Sequence, residues 1–219
     1  MAESLRASLR LVFVTPDDRP PVETQRLVER VLDGGVTAVV IRERRGPALV
    51  REALIAALVT LVRERGALAL VSRELEVATR SGAGGVQTGF GGPSLADIRR
   101  RAPGLVAGRS AHWPLESEDS RADYLTLSPF APTGRSHPRP LLTSAQVETV
   151  LERVGNLPVV ALGGLDLTAV PRLPRGLAGV AVIRALSEAP DPREAAARLR
   201  RAVEDHLGEA RPEATGGLP

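Results

Sequence analysis

PVVALGGLDLTAVPRLPRGLAGVAVIRA, residues Pro158 to Ala185, holds two short apolar runs, Pro158–Leu162 and Ala178–Ile183, each bounded by glycine. Runs of four to eight aliphatic and β-branched residues between glycines predict strands buried on both faces. The Gly163-Gly164 pair that follows the first run admits positive φ and lets a backbone approach a ligand. Arg184 follows the second run, where a helix is expected to start. Two neighbouring parallel strands that end in glycine and arginine make an anion site, and in a (β/α)8 barrel such a site falls after strands seven and eight.

Working outward, the same alternation fills the chain. Strands are predicted at Leu9–Thr15, Thr37–Arg42, Ala67–Ser72, Gly85–Thr88, Leu105–Ser110 and Tyr124–Ser128, ahead of the two already quoted. Helices are predicted at Val22–Asp33, Pro47–Arg65, Glu74–Ser81, Ser94–Arg101, Leu115–Arg121, Thr143–Arg153 and Pro192–His206. Val22, Leu27, Val31 and Leu32 are the expected buried face of the first helix, with Gly34-Gly35 as its stop. Ser94 with Asp97 three residues on, and Ser144 before the next helix, are the expected N-caps. Strict βα alternation implies a parallel sheet with helical crossovers. The expectation is a single-domain α/β protein, a (β/α)8 TIM barrel over residues 9–207. Residues 1–8 are read as an N-terminal extension and 208–219 as a flexible tail. A doubly wound open sheet is the competing architecture, but no G-x-G-x-x-G follows strand one.

Composition narrows the chemistry. The 219 residues are 43% hydrophobic but only 2% aromatic, so the core must be aliphatic. Cysteine is absent, which removes disulfides, thiolate metal sites and a cysteine nucleophile and suits a reducing cytoplasm. All 29 basic residues are arginine, so no lysine Schiff base can form. The net charge of +3 is dispersed and stacking aromatics are few, which argues against nucleic acid as a partner. No stretch is long and apolar enough for a membrane span, and no secretory signal is expected.

Barrel function collects at the C-terminal ends of the strands. Read in order, those ends offer Arg42 and Arg44, Ser72 and Arg73, Gln87, Ser110 and His112, the 129–140 loop with Thr133, Arg135 and His137, then Gly163, Gly164 and Arg184. Arginine forks match phosphate oxygens. Two cationic clusters suggest a ligand with two anionic ends. His112 is placed for proton transfer or for a structural hydrogen bond, His206 is expected on the surface, and Trp113 is a candidate lid or dimer anchor.

Six segments in order resemble the thiamine phosphate synthase and TenI superfamily, from about Leu11 to Leu186. VVIRER at Val39–Arg44 resembles Q-x-R-x-K, and LVSRELEVATRSGAGGVQTG at Leu70–Gly89 resembles N-D-R-x-D-x-A-x-x-x-G-A-x-G-V-H-L-G. GRSAH at Gly108–His112, ADYLTLSPFAPT at Ala122–Thr133, PVVALGGL from Pro158 and GVAVIRAL from Gly179 resemble the remaining motifs. The resemblance implies a barrel enzyme that joins hydroxymethylpyrimidine diphosphate to thiazole phosphate with Mg²⁺ and releases pyrophosphate. On that resemblance a pyrimidine carbocation would form and the thiazole nitrogen would capture it. Arg42 and Arg44 would hold the diphosphate, Gly163 and Gly164 the thiazole phosphate, and Ser110 and Thr133 would complete the contacts.

This chain departs from that pattern. Val40 stands for the family glutamine, Ser72-Arg73 for Asn-Asp, Gly92 for a second aspartate and Arg184 for a serine. Both Mg²⁺ carboxylates are thus missing, and Arg73 is the candidate substitute cation. The TenI branch, a metal-independent thiazole tautomerase, would place its histidine at Pro129, leaving His112 or His137 as base. Three functions follow: the synthase step, the tautomerase step, or a non-catalytic barrel that binds thiazole or thiamine phosphate. A cytoplasmic location and a possible homodimer accompany all three.

Overall fold

The computed structural model describes residues 2–133 and 139–208. Eight parallel strands close into a barrel in sequence order. They are β1 (Leu11–Val14), β2 (Ala38–Ile41), β3 (Leu68–Ser72), β4 (Gly85–Thr88), β5 (Val106–Ala111), β6 (Tyr124–Leu127), β7 (Val159–Leu162) and β8 (Gly179–Val182). Closure is set by Leu11 opposite Val180 and Val12 opposite Ala181. The (β/α)8 barrel expected from the alternating runs is the fold; the open sheet is not.

The period of two along each strand sorts side chains into two cores. Val12, Val14, Ala38, Val40, Leu70, Tyr124, Val160 and Ala181 fill the lumen. Their neighbours Leu11, Phe13, Val39, Ile41, Val71, Leu125, Val159 and Val180 point outward under the helices. Those helices are α2 (Pro21–Asp33), α3 (Ala48–Glu64), α4 (Leu75–Ser81), α5 (Leu95–Arg101), α6 (Ser144–Val154), α7 (Arg184–Ser187) and α8 (Pro192–Leu207).

Before β1, α1 (Ala2–Ser8) lies at the N-terminal end of the barrel. Arg6 Nη2 donates to the Gly176 carbonyl at 2.6 Å, and Leu5 packs on the lumen core beside Leu9. Gly179 makes this possible: any Cβ there would collide with the carbonyls of Leu9 and Arg10. The segment read as an extension thus forms the floor of the barrel.

Local expectations fared unevenly. Ser94 caps α5 by accepting from the Asp97 amide at 3.0 Å. At α6 the cap is Thr143, not Ser144: Thr143 and Gln146 exchange side-chain bonds with each other's amides in a capping box. Val22 is exposed, because the buried stripe of α2 runs through Thr24, Leu27, Val28, Val31 and Leu32. No helix spans 115–121; only a single 3₁₀ turn, Asp119–Arg121, is present. There Glu116, Glu118 and Asp119 gather around Arg109, and the Asp119 carboxylate also accepts the Glu116 amide, so the acids fold around one cation rather than along a helix. His206 is half-buried rather than on the surface, with Nε2 against the Leu173 carbonyl at 2.8 Å.

Candidate functional site at the C-terminal rim

Thr15, just past β1, organises the end of β2. Its Oγ1 accepts the Arg42 amide at 2.8 Å and lies 3.4 Å from the Glu43 carboxylate. Arg42 sits on the lumen-facing register and reaches Asp17 at 3.4 Å. Glu43 points the other way and is buried, and that burial pushes its carboxyl up to about 7, with nearby Asp17 adding to the shift. Arg44 is exposed. The structure therefore does not bring Arg42 and Arg44 together on the inner wall: Arg42 is built in, and Arg44 projects into solvent.

Ser72 ends β3 in register with Gln87. Arg73 then turns sharply, with φ of 69° and its amide bonded to the Gln87 carbonyl at 2.9 Å. Its side chain crosses the β4–α5 loop and rests on Gly91 and Gly92. Beside that loop, Gly89 faces Ser110 of β5.

Below the rim lies a polar layer. Gln87 accepts from the Tyr124 hydroxyl and donates to Ser110 and Thr126, both at 3.0 Å. Gly108 leaves the room for the tyrosine ring, since a Cβ there would overlap it. Burial raises the Tyr124 hydroxyl pKa far above its ordinary value, so it stays a donor. Gln87 is thus a buried linchpin whose amide is fully engaged, not a rim ligand. His112 places Nδ1 2.9 Å from the Ser128 carbonyl. A carbonyl only accepts, so Nδ1 carries a proton there. Trp113 follows, 40% exposed.

Across the mouth, the β6–α6 loop folds over the end of β7. Phe130 donates to Leu162 at 3.2 Å and Ala131 to Gly163 at 2.9 Å. Gly163 and Gly164 take φ of 104° and 65°, and a Cβ on Gly164 would come within 2.5 Å of the Pro132 carbonyl. The glycine pair is therefore required by the crossing loop. Arg184 donates to the Thr133 carbonyl at 2.9 Å, tying β8 to the same loop. A cavity of about 330 Å³ opens beside it between Phe130, Leu142, Gly164, Asp166 and Arg172. Arg135 and His137 lie outside the described residues.

Sequence reasoning missed Asp17, Glu43, Thr126 and Tyr124. The last two were within reach, because 124 and 126 share the inward register with Ser110 and Gln87 on the neighbouring strands. Glu43 gave a fainter signal: an acid between two arginines at a strand end, on the outward parity.

Fold and rim together define a (β/α)8-barrel protein with arginine, serine and glycine at its strand ends. A family model described as thiamine monophosphate synthase matches residues 11–186. The thiamine-phosphate synthase of Pyrococcus furiosus is 33% identical over 210 residues, spanning 94% of this chain and 100% of its own. That of Thiobacillus denitrificans is 35% identical over 195 residues, spanning 84% and 90%. A solved thiamine phosphate pyrophosphorylase from Pyrococcus furiosus superposes with a TM-score of 0.80 at 29% identity, covering 93% of this chain and 100% of that one. A 3-hexulose-6-phosphate synthase, at 16% identity and a TM-score of 0.64, covering 87% of this chain and 98% of its own, shares the fold. The chain belongs to the thiamine monophosphate synthase family.

The resemblance implies Mg²⁺, and the donor set can be tested against it. Mg²⁺ takes hard oxygen ligands, with carboxylates among them. The ends of β3 and β4 offer the Ser72 hydroxyl, a guanidinium and glycines. Among the described residues no group of three or more His, Cys, Asp or Glu side chains could hold a metal ion. At these two strand ends the one nearby carboxylate, on Glu74, is held by Arg51, so the residues present bring the ion no open carboxylate there. Among the described residues no helix is long and apolar enough to cross a membrane.

Proposed function

We propose that this protein joins hydroxymethylpyrimidine diphosphate to thiazole phosphate, forming thiamine phosphate and pyrophosphate. The observation that carries the reading is the pairing of two anion-binding edges across one mouth. Arg42, Ser72, Arg73 and Ser110 stand at the ends of β2 to β5, and Gly163, Gly164 and Arg184 stand at β7 and β8. The family relatives named above support it.

In this reading the pyrimidine methylene C–O bond breaks and pyrophosphate leaves with the electron pair. The thiazole nitrogen then donates its lone pair to the carbocation. Arg42 and Arg73 hold the departing diphosphate, with Arg44 at its solvent side. Guanidinium charge aimed at the leaving oxygens lowers the barrier because the charge develops there in the transition state. The thiazole phosphate meets Gly164 and the first N–H groups of α7, which have no partner within the helix. A cytoplasmic location and a homodimer belong to the same proposal.

A second reading has one observation in its favour. His112 is anchored through Nδ1 to the Ser128 carbonyl on the inward parity of β5, which leaves Nε2 as the ring nitrogen a thiazole tautomerase would use. One assay set separates the two. Incubation with both phosphorylated substrates should release pyrophosphate, and His112→Asn should retain at least a tenth of that rate. Isomerisation of a thiazole carboxylate phosphate, lost in His112→Asn, with no pyrophosphate released, would overturn the synthase reading. Binding of both ligands without either turnover would leave a binding barrel.

A further inference from the structure

We infer that Arg73 supplies the charge a divalent cation would otherwise bring, so that the rim binds pyrophosphate without metal. This rests on the proposed diphosphate site. The backbone is the first ground. Arg73 is the one non-glycine residue at positive φ among the described residues. The left-handed region is unfavourable for any residue that carries a Cβ, and it persists where the surroundings hold it. Here the hold is the bond from the Arg73 amide to the Gln87 carbonyl at 2.9 Å, and Gln87 is itself locked in the polar layer.

The second ground is the bed on which the side chain lies. Arg73 Nη2 is 2.5 Å from where a Cβ on Gly91 would stand, and its Cγ is 3.3 Å from the corresponding point on Gly92. A side chain at 91 would be strained at its φ of 70° and would push the guanidinium aside, and one at 92 would press on the Thr88 hydroxyl at 2.6 Å. Arginine and glycines therefore fit as a set. The loop that could present an acid has instead been cleared to seat a cation.

The third ground is charge. Arg73 is half-buried and has no ion pair among the described residues. The adjacent Glu74 carboxylate is taken by Arg51, through two bonds of 3.3 Å. A partly desolvated cation without a partner is unfavourable, and an anion relieves it. The neighbours suit a diphosphate: the Ser72 and Ser110 hydroxyls stand on β3 and β5, on either side of β4, with Arg42 past the end of β2 on the far side of Ser72. A guanidinium fork gives two parallel N–H bonds to phosphate oxygens, which a spherical ion does not.

The test is calorimetric titration of the whole protein with inorganic pyrophosphate, once in EDTA and once in excess MgCl₂. The parent should bind in EDTA at least as tightly as with Mg²⁺, because Mg²⁺ competes for the same oxygens. Arg73→Gly should weaken binding in EDTA by 30-fold or more, while its melting temperature holds or rises, since glycine accepts φ of 69° without strain. Arg73→Lys should bind between the two. Binding by the parent only with Mg²⁺, or unchanged affinity in Arg73→Gly, overturns the inference and leaves the diphosphate site standing. No binding under either condition overturns both.

Discussion

Glu43 carries a stability cost that can be switched off by one substitution. Its carboxyl is buried beside Thr15, and burial displaces it from 4.5 to about 7. The folded state therefore holds this proton more tightly than the unfolded chain. Below pH 4.5 both states are protonated and the residue costs nothing. Between pH 4.5 and about 7 the unfolded chain loses the proton first, so stability falls as pH rises. Above that window the full cost is present, and at about 1.36 kcal/mol per pH unit it amounts to ~3 kcal/mol. Glu43→Gln keeps the shape and the Thr15 contact and removes the ionisation. Lost attraction to Arg42 makes ~3 kcal/mol a ceiling. At roughly 2–4 °C per kcal/mol for a chain of this size, the variant should melt up to ~10 °C above the parent at pH 8. Thermal melts followed by circular dichroism at pH 5, 6, 7 and 8 measure this. The gap should be largest at pH 8 and nearly gone at pH 5. A variant that melts at or below the parent at pH 8, or a gap that ignores pH, refutes the account of Glu43 as a buried, hard-to-ionise acid.

Three further substitutions probe the barrel's interior and its surface. Gly108→Ala drives a methyl into the Tyr124 ring and the Gln87 amide inside the lumen, where neither can retreat, and should cost ~3 kcal/mol through overpacking, read as a lower urea midpoint with an unchanged m-value. Thr143→Ala opens the capping box of α6 and should cost ~1 kcal/mol in the same measurement, while Ser144→Ala, one residue inside the helix, should cost only a few tenths.

The fold was legible because barrel strands are buried on both faces, and Val39–Ile41, Val159–Leu162 and Gly179–Val182 can scarcely be anything but such strands. Helices that pack on them were legible wherever a stop such as Gly34 or Gly82 stood at the end. The 115–121 segment misled because its composition suits a helix, whereas its shape is set by Arg109, a residue on the preceding strand whose role is tertiary. The same limit governs the site. Residue types at strand ends pointed to the rim, but parity alone decides who faces the mouth, and Arg42 and Glu43 differ by one position. Gln87 reads as a ligand contact from its place near a strand end; its bonds to Tyr124, Ser110 and Thr126 arise from strands brought alongside in the closed barrel.

The one tyrosine and the one tryptophan of this chain occupy opposite environments. Tyr124 is sealed in the lumen and Trp113 stands half-open just past the end of β5, the strand that neighbours β6. The molecule thus has a built-in donor and acceptor for ultraviolet fluorescence, free of background from other rings of their kind. Arrival of a phosphorylated heterocycle at the mouth would alter the indole emission alone, whereas melting of the interior would change energy transfer from the phenol, so occupancy and unfolding can be followed in one cuvette without a label.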